Sequence, residues 1–198
     1  MRDLIKYLAG RITDYFIKKK IILAEDKNIY IYGGEITIST FIGISIVIII
    51  GLISYHILDS ILFLLCFIPV RIYTGGYHAD TYIKCNLIFG AVFIMFLVVK
   101  NIIPPEIDLL FSISIMILSI TTILILSPIE NKYKPLYGNE KIKYKIMSII
   151  FSLIWCICSI ILYIFNIKIY LSVALTMFTI ATSMVVEILK QNIRDEQN

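Results

Sequence analysis

The stretch ITISTFIGISIVIIIGLISY, residues 36–55, decides the fold. It runs for 20 residues without a charged side chain, and a helix of that length spans about 30 Å, the thickness of the hydrocarbon core of a bilayer. The whole chain is 59% hydrophobic and only 16% charged, whereas about a quarter of the residues of a soluble domain are charged. Residues 36–55 are therefore predicted to form a transmembrane helix.

Five more apolar runs follow, separated by short segments that hold most of the charges. All but one are close to the length that a span needs. The exception, 57–70, is either a short span or a re-entrant element. The predicted class is an all-α polytopic membrane protein, a single domain over 1–198, in which an amphipathic helix and connecting loop fill residues 1–35. The six predicted spans lie near 36–55, 57–70, 86–103, 107–127, 146–165 and 169–189.

An amphipathic helix is predicted for residues 2–20. Apolar residues recur there at helical spacing, with basic residues among and after them, which is typical of a helix at an anionic membrane surface. A helix packed on the protein's own loops explains the pattern equally well. The apolar positions are Leu4, Ile5, Leu8, Ile12, Tyr15 and Phe16, and the basic ones are Arg2, Lys6, Arg11, Lys18, Lys19 and Lys20.

The distribution of Lys and Arg predicts the orientation. If the N-terminus is cytoplasmic, the inner segments hold every Lys and Arg except Lys100 and Lys168, which is a strong positive-inside bias. A re-entrant 57–70 would reverse all later loops and destroy this bias. Six full spans in a cell membrane, with both termini cytoplasmic, are therefore predicted.

The stretch RIYTGGYHADTYIKC, residues 71–85, carries the candidate chemistry. Cys85 lies at the start of the third predicted span beside Lys84, and a thiolate is stabilised at a helix N-terminus or next to a cation. His78 could take the thiol proton, as in a Cys–His protease. The cytosol would keep this thiol reduced. A solvated histidine and a cysteine that only packs are the plainer alternatives.

A Cys–His pair imposes a condition on the backbone. Residues seven apart on one straight helix are separated by about 10.5 Å along its axis, too far for the contact of about 3 Å that a base needs. The chain must therefore bend between His78 and Cys85. Gly75 and Gly76 permit sharp turns just before His78, and Asp80 could orient its imidazole.

No metal, cofactor or nucleic-acid partner is predicted. A metal site built from His78, Asp80 and Cys85 is disfavoured, because three or four well-placed ligands are normally required. The remaining cysteines lie inside apolar runs, where a thiol behaves as a small hydrophobic group.

Three motifs resemble the accessory gene regulator B family of membrane cysteine endopeptidases of bacterial quorum sensing. The string from Arg71 through Gly75-Gly76-x-His78-Ala79 to Cys85 is similar to the family signature. Tyr32-Gly33-x-Glu35 resembles the family's approach to its first span. The third motif resembles the family's basic, proline-containing loop between the fourth and fifth spans. It consists of Ser127-Pro128-Ile129-Glu130-Asn131 and Lys134-Pro135-Leu136.

The resemblance implies an endopeptidase that removes the tail of a short pro-peptide with an amphipathic leader and an acidic tail. Cys85 would be the nucleophile and His78 the base, the product would be a cyclic thiolactone or lactone, and the enzyme would be a homodimer with its active site on the cytoplasmic side. Arg71 would hold a substrate carboxylate or anchor its span, and Gly75, Gly76 and Asp80 would support the site. Lys132 and Lys134, with Lys141, Lys143 and Lys145, would attract the acidic tail, although positive-inside topology alone explains such a loop.

Two other classes of protein are compatible with the predicted spans and involve no catalysis. A peptide exporter would carry ionisable residues deep in its spans, but Asp59, Lys100, Asp108 and Glu187 lie near span ends. A membrane scaffold leaves the Gly-Gly-x-His-x6-Cys string unexplained.

Overall fold

The computed structural model describes residues 2–77, 79, 81–130 and 138–195, except for the side chains of residues 2, 3 and 195. This part of the chain is helical and holds no strand, which confirms the predicted all-α class. A single 3-10 turn, Ala24–Asp26, precedes the second helix. The helices are α1 (Arg2–Lys18), α2 (Lys27–Ile53), α3 (Ile57–Thr74), α4 (Tyr82–Ile102), α5 (Asp108–Leu126), α6 (Asn139–Ile164) and α7 (Tyr170–Asp195).

Within the described ranges, six helices, α2 to α7, are long and apolar enough to cross a membrane, as predicted. Their ends differ from the predicted spans. Residues 27–35, expected to form part of a connecting loop, are the first turns of α2, and α3 continues past residue 70 to Thr74. The reason is that a helix ends where its backbone hydrogen bonds end, whereas an apolar run ends where hydropathy falls.

Helix α1 packs antiparallel on the first turns of α2. Ala9 lies against Gly34, and the Lys27 ammonium pairs with the Asp14 carboxylate at 2.7 Å, which lowers the pKa of Asp14. The opposite face of α1 is exposed and apolar. The partner of α1 is therefore α2 rather than a loop, and a second apolar face remains for a membrane surface. That face carries Leu4, Leu8, Ile12 and Tyr15.

Small residues bring α2 close to its neighbours. Its buried positions, Ser39, Gly43, Val47 and Gly51, recur every four residues, the spacing of a small-residue packing face in membrane helices. A Cβ at Gly43 would meet the Asn86 side chain at 3.2 Å, whereas one at Gly51 would overlap the Ser60 hydroxyl. This face therefore fixes the distances from α2 to α3 and α4.

Gly51→Ala is expected to destabilise the protein by about 1–3 kcal/mol, because overpacking a close contact forces the neighbouring helix to move. Gly33→Ala is the matched control in the same helix, since no atom lies within 4 Å of its added Cβ. That change is expected to stabilise α2 by about 0.5–1 kcal/mol through helix propensity. Thermal unfolding in detergent measures both changes, and equal melting temperatures for the two variants would contradict the packing argument.

Helix α7 is the centre of the bundle. It packs against α3, α4, α5 and α6. In its apolar 18-residue stretch 61% of the residues are buried, compared with at most 39% in the other candidate spans. Met177, Ile180 and Met184 are fully buried on it. The other helices keep large apolar side chains exposed on the outside, as expected for surfaces that face lipid.

The bundle has two polar ends, called here the Cys85 end and the Asp59 end after the residues they carry. Between them α3 and α4 interlock through a cluster of aromatic rings with centroids 5.0–5.7 Å apart. Its members are Phe63, Phe67, Phe89, Phe93 and Phe96.

A buried ionic network closes the Asp59 end. Asp59, only 5% exposed, accepts hydrogen bonds from Lys100 Nζ at 2.5 Å, Ser172 Oγ at 2.6 Å and His56 Nδ1 at 2.9 Å. A carboxylate can only accept, so His56 presents its Nδ1 proton to Asp59. The network ties α3 to the last turn of α4 and the first turn of α7. His56 is thus a structural partner of Asp59.

Candidate active site

Cys85 lies in the first turns of α4, half-buried at the Cys85 end. Thr81 caps this helix: its Oγ1 accepts a hydrogen bond from Lys84 N at 3.3 Å, and its carbonyl accepts one from Cys85 N at 3.0 Å. The cap places the start of the helix four residues before Cys85. Cys85 is the fourth residue of α4, so its thiol lies at the end of the first turn, near the positive end of the helix dipole.

Arg71 organises the turn that follows α3. Its guanidinium donates hydrogen bonds to the carbonyls of Gly75 and Tyr77, and to Ser183 Oγ at 3.3 Å. Three acceptors in different directions suit the fixed fork of a guanidinium. Arg71 is therefore an internal support of the 75–77 turn in this structure. Its predicted contact with a substrate carboxylate stays a prediction.

The turn requires glycine at two successive positions. Gly75 and Gly76 have φ angles of +71° and +131°, which L side chains rarely adopt. A Cβ on Gly75 would overlap the Ile129 carbonyl, and one on Gly76 would overlap the Arg71 guanidinium. The two glycines thus allow the chain to turn and also allow the Ile129 carbonyl and the Arg71 guanidinium to come close to its backbone.

Two other segments hold the same turn in place. Ile129 N, just after α5, donates to Thr74 O at 2.8 Å, and Tyr77 N donates to Ser183 O of α7 at 3.0 Å. Lys190 Nζ lies 4.8 Å from the centre of the Tyr77 ring, within cation–π range. Residues 74–77 are therefore clamped between the chain after α5 and the last turns of α7.

Charged groups gather around this clamp. The Arg71 guanidinium lies within electrostatic range of both Cys85 and Glu187, and Glu187 is only 5% exposed. Gln191 Nε2 donates to Glu187 Oε1 at 3.4 Å and to Glu130 O at 3.0 Å. A thiol, a guanidinium and a buried carboxylate thus lie at the same end of the bundle.

The backbone meets the condition set by the spacing. Helix α3 ends at Thr74, residues 75–77 are non-helical, and α4 begins only at Tyr82. The positions seven apart therefore do not share one straight helix. His78, Asp80, Lys132 and Lys134 lie outside the described residues, so their predicted roles stay predictions.

Two other polar residues singled out in the sequence, Glu35 and Lys141, have structural partners. Tyr82 Oη of α4 donates to Glu35 Oε2 of α2 at 3.1 Å. Lys141, on the first turn of α6, pairs with Glu130 at 2.8 Å. Lys143 and Lys145 are exposed on the same helix and offer positive charge near the site.

Sequence reasoning missed the contribution of α7. Ser183, Glu187 and Lys190 lie on the last predicted span and its end, and none was assigned to the site. The one usable signal was Glu187, an acid at the end of an apolar run, because ionisable residues in membrane spans are usually functional. Ser183 gave no signal, since its role depends on a contact 112 residues away.

The described residues contain no group of three His, Cys, Asp or Glu side chains that could hold a metal ion. A cavity of about 320 Å³ lies at the Asp59 end, lined by Asp108, Lys168 and Tyr170 among others. It contains no thiol or imidazole, so we assign it no part in the candidate chemistry.

The fold and the site define a multi-pass helical membrane protein with a candidate thiol site at one end of the bundle. The sequence model of the family "Accessory gene regulator B" (AgrB) matches residues 9–186, so the chain belongs to this family. A curated AgrB-like protein from Clostridium beijerinckii is 32% identical over 158 residues, covering 78% of this chain and 76% of the relative. No solved structure gives a significant match. Membership supports a part in the processing of the accessory gene regulator quorum-sensing peptide.

Proposed function

We propose that this protein is a membrane cysteine endopeptidase that removes the tail of a short pro-peptide and closes the remaining signal segment into a ring. The observation that carries the proposal is the clamped 75–77 turn beside the first turns of α4. His78 is bonded directly to Tyr77, whose N–H and carbonyl are both held. Because consecutive Cα atoms are about 3.8 Å apart, anchoring Tyr77 limits where His78 can lie.

The first step is an acyl transfer to Cys85. The thiolate attacks the carbonyl carbon between the signal segment and the tail, and a C–S bond forms while the C–N bond breaks. His78 takes the thiol proton and gives it to the departing amine. The result is a thioester on Cys85 and a free tail.

The second step releases the signal. A thiol or hydroxyl of the bound peptide attacks the thioester, the bond to Cys85 Sγ breaks, and the proton of the attacking group returns to Cys85 through His78. The product is a thiolactone or a lactone. A half-buried thiol at the edge of a bilayer limits the water that would hydrolyse the thioester. The two steps need no metal or cofactor.

The surroundings suit such a substrate. The exposed apolar face of α1 fits a bilayer surface on which an amphipathic leader would also lie. Lys143 and Lys145 would attract an acidic tail. The proposal includes a cell membrane, a cytoplasmic Cys85 end with both termini on that side, and a homodimer.

The test compares pro-peptide cleavage by wild type, Cys85→Ala and His78→Ala proteins in membranes, using the short pro-peptide encoded beside the gene and mass spectrometry. Loss of at least about 1,000-fold in rate is expected in both variants at equal protein levels, because neither partner replaces the other. Cys158→Ala is the matched control and should cleave normally, because Cys158 lies in the C-terminal part of α6, far along that helix from Lys141. A peptide mass attached to Cys85 would identify the thioester.

Export of a peptide without chemistry is the second candidate. The aromatic cluster fills the contact between α3 and α4, so an export path would have to lie elsewhere in the bundle. An exporter should survive Cys85→Ala. Normal processing in that variant would therefore end the endopeptidase proposal.

A further inference from the structure

Helix α7 presents a polar face to the candidate site. Ser183, Glu187 and Gln191 follow one another at four-residue spacing, and such residues lie on one side of a helix. The apolar stretch of α7 is more deeply buried than that of any other candidate span in the described residues. A polar stripe at this one end of α7 therefore faces the 74–77 and 129–130 segments that contact it.

Ser183 meets the turn twice. Its carbonyl accepts from Tyr77 N at 3.0 Å, and its Oγ accepts from Arg71 Nη1 at 3.3 Å. The hydroxyl proton is directed to Ile180 O at 2.7 Å, which leaves the lone pairs of Oγ for the guanidinium. Ser183 is thus oriented as an acceptor.

Glu187 supplies negative charge where Arg71 needs it. A guanidinium turned into a helix bundle is costly unless an anion compensates it, and Glu187 is a buried acid within electrostatic range. Through Gln191 the same carboxylate is joined to the Glu130 carbonyl. Glu187 therefore links α7 to the chain after α5.

We propose that Glu187 and Ser183 are positioning residues of the Cys85–His78 site, an inference that rests on the proposed function. Glu187 keeps the Arg71 guanidinium in the protein interior, and Ser183 orients it. Arg71 then holds the carbonyls of Gly75 and Tyr77, which anchors the residue directly before His78. Both residues of α7 are proposed to act through Arg71 and the turn.

The kinetic test compares Glu187→Gln, Glu187→Asp and Ser183→Ala with wild type, using the same pro-peptide. Glu187→Gln is expected to lower kcat about 100-fold with KM changed less than about threefold, because misplacing a base by about 1 Å costs that much in rate. Glu187→Asp should recover at least tenfold of this loss, and Ser183→Ala should lose about tenfold. Glu106→Gln, the same change at an exposed turn near the Asp59 end, should cleave like wild type.

A second readout does not depend on catalysis. Hydrogen–deuterium exchange of a peptide covering Tyr77 should be at least about tenfold faster in Glu187→Gln than in wild type, and unchanged in Glu106→Gln. If Cys85→Ala still cleaves, the proposed function fails while this exchange result still decides the role of Glu187 in the turn. Wild-type kcat in Glu187→Gln, or wild-type exchange at Tyr77, overturns the inference. If Glu187→Gln does not fold, wild-type kcat in Ser183→Ala overturns it instead.

Discussion

Replacing Gly76 with alanine is expected to reduce pro-peptide cleavage by at least about 100-fold while leaving the protein folded in the membrane. The added Cβ would overlap the Arg71 guanidinium, and a φ of +131° strains any L side chain. Arg71 would have to leave the carbonyls of Gly75 and Tyr77, and the turn would lose its anchor. Cleavage rates measured at equal protein levels test this expectation.

Gly138→Ala separates backbone strain from displacement of Arg71. Gly138 also has a positive φ, +48°, but no atom of the described residues lies within 4 Å of its added Cβ. This variant is expected to keep cleavage within about threefold of wild type, at a cost of about 1–2 kcal/mol in stability. Equal loss of cleavage in the two variants would show that strain alone accounts for the effect and that Arg71 is not involved.

Removing one charge from the network at the Asp59 end is expected to give the largest loss of stability. Asp59→Asn leaves the Lys100 ammonium without its carboxylate in a largely buried position, a change that costs about 3–5 kcal/mol in comparable buried pairs. Lys100→Met should cost a similar amount, since Asp59 then keeps only His56 as a partner able to carry positive charge. Unfolding of the purified protein in mixed micelles measures both losses.

The double variant decides whether the pair itself is responsible. Asp59→Asn combined with Lys100→Met removes both charges and should recover at least half of the loss of either single variant. Asp14→Asn breaks an ion pair whose side chains are about half exposed, and it should cost less than about 1 kcal/mol. An Asp59→Asn protein no less stable than Asp14→Asn would contradict the structural role of this network.

Much of the architecture could be read from local sequence. Apolar runs such as 36–55 and 107–127 had to become spans, because a bilayer accepts about 20 apolar residues only as a helix that satisfies its own backbone. Hydropathy could not give the helix ends, however. Residues 27–35 continue α2, and Thr81 starts α4 before its apolar run begins.

Only part of the candidate site could be predicted from the sequence. Cys85, Arg71 and the glycine pair stand close together in sequence, so their residue types and spacing marked them. Arg71 nevertheless turned out to bind the chain itself, because three acceptors surround its guanidinium in the folded protein. A list of residue types does not contain that information.

The sequence by itself determined the membrane class, the number of spans and the segment that holds Cys85, because these follow from hydropathy, charge and short-range spacing. Tertiary structure alone decided that α7 supports the site through Ser183 and Glu187, and that His56, Asp59 and Lys100 form one network at the opposite end. The physical reason is that these contacts join residues up to 113 positions apart, as Asp59 and Ser172 are. Only the packing of one helix against another brings them within reach.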